Sequence, residues 1–321
     1  MKIVYDGKAD KAFKSVLGET IPAMAAADKK IIYLDADLAN CINLGGFIKN
    51  NPTQGFDCGI AEANMIGIAA GLSSAGFKPI VHSFGPFASR RCFDQVFLSV
   101  GYAKNSVTIL GTDAGVCASM NGGTHMPFED LALYRAIPGA RVFDMTDTSM
   151  LVSVLAQCVE LPGVKYIRLG RKENKKVYAD NQKFELGKGI VVKDLGADVA
   201  IFATGIMVPK SMDAADILSK EGIKAVVVDM FTVKPLDVET AVKFAEKTGA
   251  VVVAENHNKI GGLTSAVCDA LAENYPVPIE HVAIEDQFGE VGPQAYLEKR
   301  FGLTVEAIVE KAKKVLSRKK A

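Results

Sequence analysis

Short apolar runs rich in valine and isoleucine alternate along the chain with longer segments in which apolar residues recur at helical spacing. The runs predict buried strands, and the longer segments predict helices that pack against them. In the first half of the chain the predicted strands are residues 30–34, 79–83, 107–111 and 142–144, and the predicted helices are 57–75, 87–104, 128–135 and 148–161. Such alternation is typical of a mostly parallel sheet with helices on both faces.

A polar and charged stretch at residues 171–188 interrupts this pattern and predicts a linker. Beyond it the predicted strands are residues 197–203, 225–229, 250–254 and 280–284, and the predicted helices are 209–221, 238–247, 263–274, 293–301 and 304–316. We therefore expect an α/β protein with two doubly wound domains. The larger, with a mostly parallel sheet, covers residues 1–180, and the smaller covers residues 186–321.

The composition is ordinary for a globular protein and carries no net charge. Lysine plus arginine and aspartate plus glutamate both total 37, so no global field favours nucleic acid or an anionic membrane. The six cysteines show no Cys-x-x-Cys and no metal-ligand spacing with the four histidines, which predicts reduced thiols and no metal site. Apolar runs of membrane-spanning length are absent from the sequence, and residues 1–6 do not open a signal peptide. We expect a cytoplasmic protein whose basic segment 311–320 is the solvated face of a last helix.

The most informative segment is residues 56–65, where Glu62 opens a run of small residues that predicts a closely packed helix. A carboxylate in a first helical turn is commonly a simple partner of the exposed N–H groups there. The sequence Gly-Ile-Ala-Glu-x-Asn-Met at 59–65, however, resembles the segment by which transketolase-like thiamine diphosphate enzymes present a glutamate to the aminopyrimidine of the cofactor.

Further blocks extend the resemblance to transketolases over essentially the whole chain. They are residues 81–87, 90–95, 111–116, 121–131, 166–171, 231–237 and 254–263. Each block is short, but their order and spacing together are specific.

The resemblance implies a cofactor-binding set of Glu62, Phe84, Phe87 and Asp37. Glu62 would act in catalysis, because the cofactor's amino group can remove the ring proton only when a carboxyl group is hydrogen-bonded to the opposite pyrimidine nitrogen. Phe87, and secondarily Phe84, would form the aromatic wall on which the pyrimidine stacks. Asp37 lies in an Ala-Asp-Leu sequence that resembles one near the cofactor in transketolases.

The resemblance also implies a substrate-binding set, which consists of Arg91, Asp113, Asn121, His125 and Arg171. The arginines would bind the terminal phosphate of the sugar, since a guanidinium group matches an oxyanion with two donors, and the histidine would also take part in catalysis.

Two departures from the family pattern leave the identity of the sugar open. Thr112 stands where single-chain transketolases commonly have a histidine, and Asn121 stands where they have an aspartate. A sulfonate end group is an alternative to phosphate, because a pocket that lacks one cation suits its smaller charge.

The chain has no Gly-Asp-Gly sequence and no glycine-rich phosphate loop. We therefore expect the diphosphate and its Mg²⁺ or Ca²⁺ to be bound by a partner polypeptide, in an assembly of two chains of each kind. The resemblance is to the C-terminal subunit of a split transketolase, which transfers a two-carbon ketol unit from a ketose phosphate or sulfo-sugar to an aldose phosphate. Two alternatives remain: the beta subunit of a 2-oxoacid dehydrogenase, and a non-catalytic scaffold subunit.

Overall fold

A computed structural model describes residues 1–319. In it, strands and helices alternate along the first half of the chain. Its helices are α1 (Phe13–Ala27), α2 (Gly45–Asn50), α3 (Glu62–Ser74), α4 (Gly85–Ser89), α5 (Phe93–Gln95), α6 (Asp130–Ala136) and α7 (Thr148–Cys158). Its strands are β1 (Ile31–Asp35), β2 (Gly55–Asp57), β3 (Lys78–Phe84), β4 (Val107–Thr112), β5 (Arg141–Asp144) and β6 (Val164–Arg168). Short 3₁₀ turns lie at Ala39–Ile42, Arg90–Cys92, Gly115–Asn121 and Gly123–His125.

The second half contributes a further group of strands and helices. Its strands are β7 (Ile190–Asp194), β8 (Val199–Ala203), β9 (Ala225–Asp229), β10 (Thr232–Lys234), β11 (Val251–Asn258) and β12 (Ile279–Ile284). Its helices are α8 (Met207–Lys220), α9 (Val238–Thr248), α10 (Leu263–Asn274), α11 (Gln294–Arg300) and α12 (Val305–Ser317).

The strands form two sheets, and both are mostly parallel. Within residues 1–319 the first sheet has the order β10-β5-β6-β4-β3-β1-β2, and only β10 runs antiparallel to its neighbour. The second has the order β12-β11-β8-β9-β7, with β7 antiparallel to β9. The predicted fold class is confirmed. Parallel strands bring their carboxyl ends to one edge of the sheet, and the segments that follow these ends carry the candidate site.

The two halves are joined more closely than a flexible linker would allow. The strand β10 lies beyond the predicted linker in sequence but pairs with β5 of the first sheet. Within the stretch 171–188, Tyr178 and Phe184 are fully buried, and their rings meet edge to face at 4.9 Å. The domain limits 1–180 and 186–321 remain a prediction.

Most predicted elements appear close to their predicted limits, but two helices differ. The predicted helix 57–75 begins at Glu62, because residues 55–57 form β2. The predicted helix 87–104 is wrong as one continuous element: α4, a 3₁₀ turn, α5 and a π-helical turn at Val96–Tyr102 replace it. The break falls at Ser89, which has φ −115° and ψ −82° and whose hydroxyl donates to the Gly85 carbonyl at 2.7 Å. A side chain that bonds to the backbone in this way competes with regular helix formation.

The C-terminal basic segment is only partly a solvated face. Lys311, Lys314 and Arg318 all contact Glu280 of β12. Lys320, the last residue of that predicted segment, and Ala321 lie outside the described residues. Among the residues that are described, no helix combines the length and apolar character needed to cross a membrane.

Candidate active site

The site is built around Glu62, the first residue of α3, whose side chain is almost completely buried. The Ser83 hydroxyl donates to Glu62 Oε1 at 2.9 Å. Arg91 Nη1 lies 3.0 Å from Oε1 and 2.9 Å from Oε2. These contacts satisfy a carboxylate that would otherwise be costly to bury.

Two phenylalanines lie one on each side of a tight strand-to-helix connection, and Arg91 links the ring of the second to the Glu62 carboxylate. Phe84 ends β3 and Phe87 lies in α4, with ring centroids 6.3 Å apart. Gly85 between them permits a close approach, because a side-chain carbon there would lie 2.6 Å from Pro127 Cγ. The loop that contains Pro127 can therefore pack directly against the start of α4.

The same loop brings His125 onto the aromatic pair. Its ring centroid lies 5.1 Å from that of Phe87 and 6.0 Å from that of Phe84. The Thr124 hydroxyl is 2.9 Å from His125 Nδ1 and helps to fix the ring. Residues from β3, from α4 and from the turn at Gly123–His125 thus form one aromatic wall.

Two guanidinium groups flank this wall. Arg91 Cζ lies 3.9 Å from the centroid of Phe87, and Arg171 Cζ lies 5.3 Å from the centroid of Phe84. Both side chains keep part of their surface in contact with solvent. The site therefore combines a flat apolar surface with two cations, which suits a ligand with a planar ring and an anionic end.

Asp113 holds the second cation in place. Its Oδ1 lies 3.3 Å from Arg171 Nε, whereas its buried Oδ2 has no hydrogen-bond partner within residues 1–319. Burial raises the pKa of Asp113, and the Arg171 charge opposes that rise. The residue follows β4 with φ +62°, a left-handed conformation that aspartate tolerates better than most residues. The unpaired oxygen is shielded from solvent in the chain alone.

The remaining two predicted residues are not part of this contact cluster. Asp37 is exposed on the turn after β1, where its N–H donates to Asp57 Oδ1 at 3.0 Å. Asn121 is exposed at the end of a 3₁₀ turn. In the part of the chain that the structure describes, neither side chain hydrogen-bonds to Glu62, Phe84 or their neighbours.

Sequence reasoning missed the support beneath the site. Ser83 and His82 are fully buried polar residues in an apolar strand, and both hydrogen-bond to neighbouring elements. Their position between Val81 and Phe84 was the available signal, since buried polar side chains need partners. Over residues 1–319 no group of His, Cys, Asp and Glu side chains is arranged to hold a metal ion.

Comparison with known proteins gives matches over nearly the whole chain. The family model "Transketolase, pyrimidine binding domain" matches residues 9–176, and "Transketolase, C-terminal domain" matches residues 187–308.

Two relatives and one solved structure illustrate the similarity. The "6-deoxy-6-sulfo-D-fructose transketolase subunit SqwH" of Clostridium sp. (strain MSTE9) is 46% identical over 92% of this chain and 91% of its own length. One of the subunits of an apulose-4-phosphate transketolase from Phocaeicola vulgatus is 36% identical over 92% of this chain and 94% of its own. A structure described as "Split gene transketolase, inactive beta4 tetramer" superimposes with a TM-score of 0.87 at 39% identity, covering 97% of this chain and 99% of that one.

Proposed function

The chain belongs to the transketolase family, and from that premise we propose that it is the pyrimidine-binding subunit of a two-chain thiamine diphosphate enzyme. This enzyme moves a two-carbon ketol unit from a ketose to an aldose. The observation that carries the proposal is the buried Glu62 carboxylate, which Arg91 connects to the Phe84–Phe87 pair. A dry carboxyl group next to an aromatic surface is what an aminopyrimidine ring requires for binding and activation.

Thiamine diphosphate, when bound, supplies the carbanion chemistry that a protein side chain cannot. Glu62 would bind a pyrimidine nitrogen, with its carboxyl group oriented by the Ser83 hydroxyl. Phe87 would stack on the ring, with Phe84 as the second ring of the wall, and Asp37 on the turn after β1 completes the proposed cofactor-binding set. In the chain alone Arg91 contacts both Glu62 and Phe87, so cofactor binding requires Arg91 to give up these contacts.

Substrate binding is assigned to the charged and polar groups around the wall. Arg91, once released, and Arg171 would bind the anionic end of the sugar, because both guanidinium groups flank the same aromatic pair. The Asp113 carboxyl group and the amide of Asn121 would bind sugar hydroxyls. His125, on the wall itself, would contact the reacting end and move a proton there.

The end group of the preferred donor is a sulfonate in this proposal, with phosphate as the second candidate. The relative at 46% identity is named for a sulfo-sugar, whereas the relative named for a phosphorylated sugar is 36% identical. The choice between the two end groups is tested by comparing kcat/KM for 6-deoxy-6-sulfofructose with kcat/KM for fructose 6-phosphate. A preference for the phosphate sugar would place the enzyme with the pentose phosphate type of transketolase.

The partner in this proposal is an N-terminal subunit that carries the Gly-Asp-Gly sequence and binds the diphosphate with Mg²⁺ or Ca²⁺. We place two copies of each chain in the assembly, in keeping with the symmetry of most oligomers. A cytoplasmic location agrees with the free cysteines of the described chain.

The test is reconstitution with the Gly-Asp-Gly polypeptide encoded in the same genome, followed by Glu62→Gln in this chain. The mixture should transfer ketol units, and each chain alone should not, because each holds one half of the cofactor site. Glu62→Gln should slow hydrogen exchange at the thiazolium carbon by about a hundredfold or more, since the variant cannot hold the proton in the same way. Exchange at the parent rate would refute the role of Glu62. Decarboxylation of 2-oxoacids by the mixture would favour the dehydrogenase alternative, and an assembled but inactive mixture would favour a scaffold.

A further inference from the structure

A fully buried histidine joins three neighbouring strands immediately beneath the site. His82 lies in β3, which runs between β1 and β4. Its Nδ1 lies 2.7 Å from Asp35 Oδ2 on β1, and its Nε2 lies 3.1 Å from Thr112 Oγ1 on β4. All three side chains are completely shielded from solvent. One side chain therefore links the carboxyl ends of three strands.

The partners fix the hydrogen-bonding state of the ring. Asp35 Oδ2 also accepts a hydrogen bond from the Tyr33 hydroxyl, so this oxygen acts as an acceptor and His82 Nδ1 carries the hydrogen. In the neutral ring, Nε2 then accepts from the Thr112 hydroxyl. The other oxygen of Asp35 accepts from the Leu38 N–H at 2.5 Å, which shapes the turn after β1.

Each of the three linked strand ends leads into a segment of the site. The Asp35 turn carries Asp37, and His82 is two residues before Phe84 on the same face of β3. Thr112 is followed at once by Asp113, which holds Arg171. A displacement of the Thr112 side chain would be passed to Asp113 through a single peptide unit, and from there to the guanidinium group.

We infer that His82 is a positioning residue, which sets the aromatic wall and the Asp113–Arg171 pair at the distances that binding requires. This inference rests on the proposed function and extends it to a residue that touches neither cofactor nor sugar. The two hydrogen bonds of His82, to Asp35 and to Thr112, form two branches that can be removed separately. The Asp35 branch sets the turn with Asp37, and the Thr112 branch sets the anion-binding end.

The experiment compares Thr112→Val and His82→Phe with the matched control Thr108→Val in the two-chain complex. Thr108 lies on the same strand and is equally buried, but its hydroxyl points to the Cys158 carbonyl at 3.4 Å, away from the site. Thr112→Val should raise KM for the anionic sugar about tenfold with kcat nearly unchanged, because small displacements of binding groups reduce affinity. His82→Phe, which breaks both branches, should in addition raise the Kd for thiamine diphosphate about tenfold.

The inference is overturned if Thr112→Val and Thr108→Val change KM equally, because the effect would then be a general loss of a buried hydroxyl. It is also overturned if His82→Phe lowers the midpoint of unfolding while KM and Kd stay at their parent values. If His82→Phe does not fold, the comparison of KM between Thr112→Val and Thr108→Val still tests the inference. If the parent complex transfers no ketol units, the proposed function is contradicted, and the inference is then tested by the Kd of thiamine diphosphate. A tenfold rise in this Kd confined to His82→Phe supports the positioning role. No rise refutes that role.

Discussion

Arg90 and Arg91 are neighbours in the sequence, but their side chains contact different groups. Arg91 contacts Glu62 and the face of Phe87. Arg90 lies 2.8 Å from Glu129 and donates to the Thr124 carbonyl at 3.2 Å, so it supports the loop that carries His125. The pair therefore provides a proposed binding residue and a matched control at adjacent positions.

At the residue scale we predict that Arg91→Gln raises KM for anionic sugars by roughly ten- to a thousandfold, because a charge-assisted pair of hydrogen bonds is lost. Arg90→Gln should change KM by no more than about threefold, as expected for a partly exposed ion pair. Steady-state kinetics with charged and uncharged acceptors measure both. If Arg91→Gln instead lowers kcat and leaves KM unchanged, Arg91 stays on Glu62 in the working complex and does not bind the sugar.

At the element scale, the end of β11 connects the two domains through one amide side chain. Asn256 accepts from the Val116 N–H at 3.0 Å and donates to the Ala114 carbonyl at 2.9 Å. Both partners lie in the segment after β4, immediately beyond Asp113. The side chain is buried, so its loss would leave the Val116 N–H without a partner, whereas the Ala114 carbonyl would keep its bond from the Cys117 N–H at 3.0 Å.

We predict that Asn256→Leu lowers the free energy of unfolding by about 1–3 kcal/mol, since a similar volume is kept but the buried Val116 N–H loses its partner. Asn274→Leu is the control, because that side chain donates only within its own helix, to the Ala270 carbonyl near the surface. Urea unfolding measures the difference. Equal losses in the two variants would show that the junction adds nothing to stability.

The elements also show what sequence patterns can and cannot predict. The strand 225–229 and the helix 263–274 were predicted at their observed limits, because an apolar run and a helical period each identify one element locally. Strand β10 was missed, since three residues carry no usable period and its partner strand lies far away in sequence. The same reason explains the site: Glu62 stands out in a local motif, whereas His82 is 47 and 30 residues from the partners that give it a role.

At the scale of the whole molecule, a chain without net charge contains a concentrated group of buried charges between its two domains. Arg168 Nε donates to Asp130 Oδ2 at 2.8 Å, and its Nη2 donates to the carbonyls of Pro127 and Asn256. Asp144 lies 3.5 Å from the same guanidinium group. Because the Arg168 guanidinium group bonds to both halves of the chain, the domains should unfold together rather than one by one.

The pH dependence of stability should be governed in part by His257, which is buried in β11 beside this group. Burial lowers its pKa from 6.5 to about 4, with the Asp130 charge opposing the shift and the Arg168 charge adding to it. In the unfolded chain the ring takes up a proton near its ordinary value. Between pH 6.5 and 4 only the unfolded chain therefore binds this proton, and the free energy of unfolding falls as pH falls, by up to about 1.4 kcal/mol per pH unit.

We predict that His257→Gln lowers stability at pH 8, where the hydrogen bond from Nδ1 to the Asn258 carbonyl is lost, but has a flatter profile than the parent between pH 6.5 and 4. Burial raises the pKa of Asp229 and Glu255 to about 7, so these groups stabilise the fold as pH falls and oppose the effect of His257. The quantity to compare is therefore the difference in unfolding free energy between variant and parent at each pH. Urea unfolding from pH 4 to 8 measures it, with the surface variant His281→Gln as control. If the plots of unfolding free energy against pH for His257→Gln and the parent are parallel, the buried ring takes up its proton as readily in the folded chain as in the unfolded one. The buried charges at the domain junction would then have to stabilise the protonated ring.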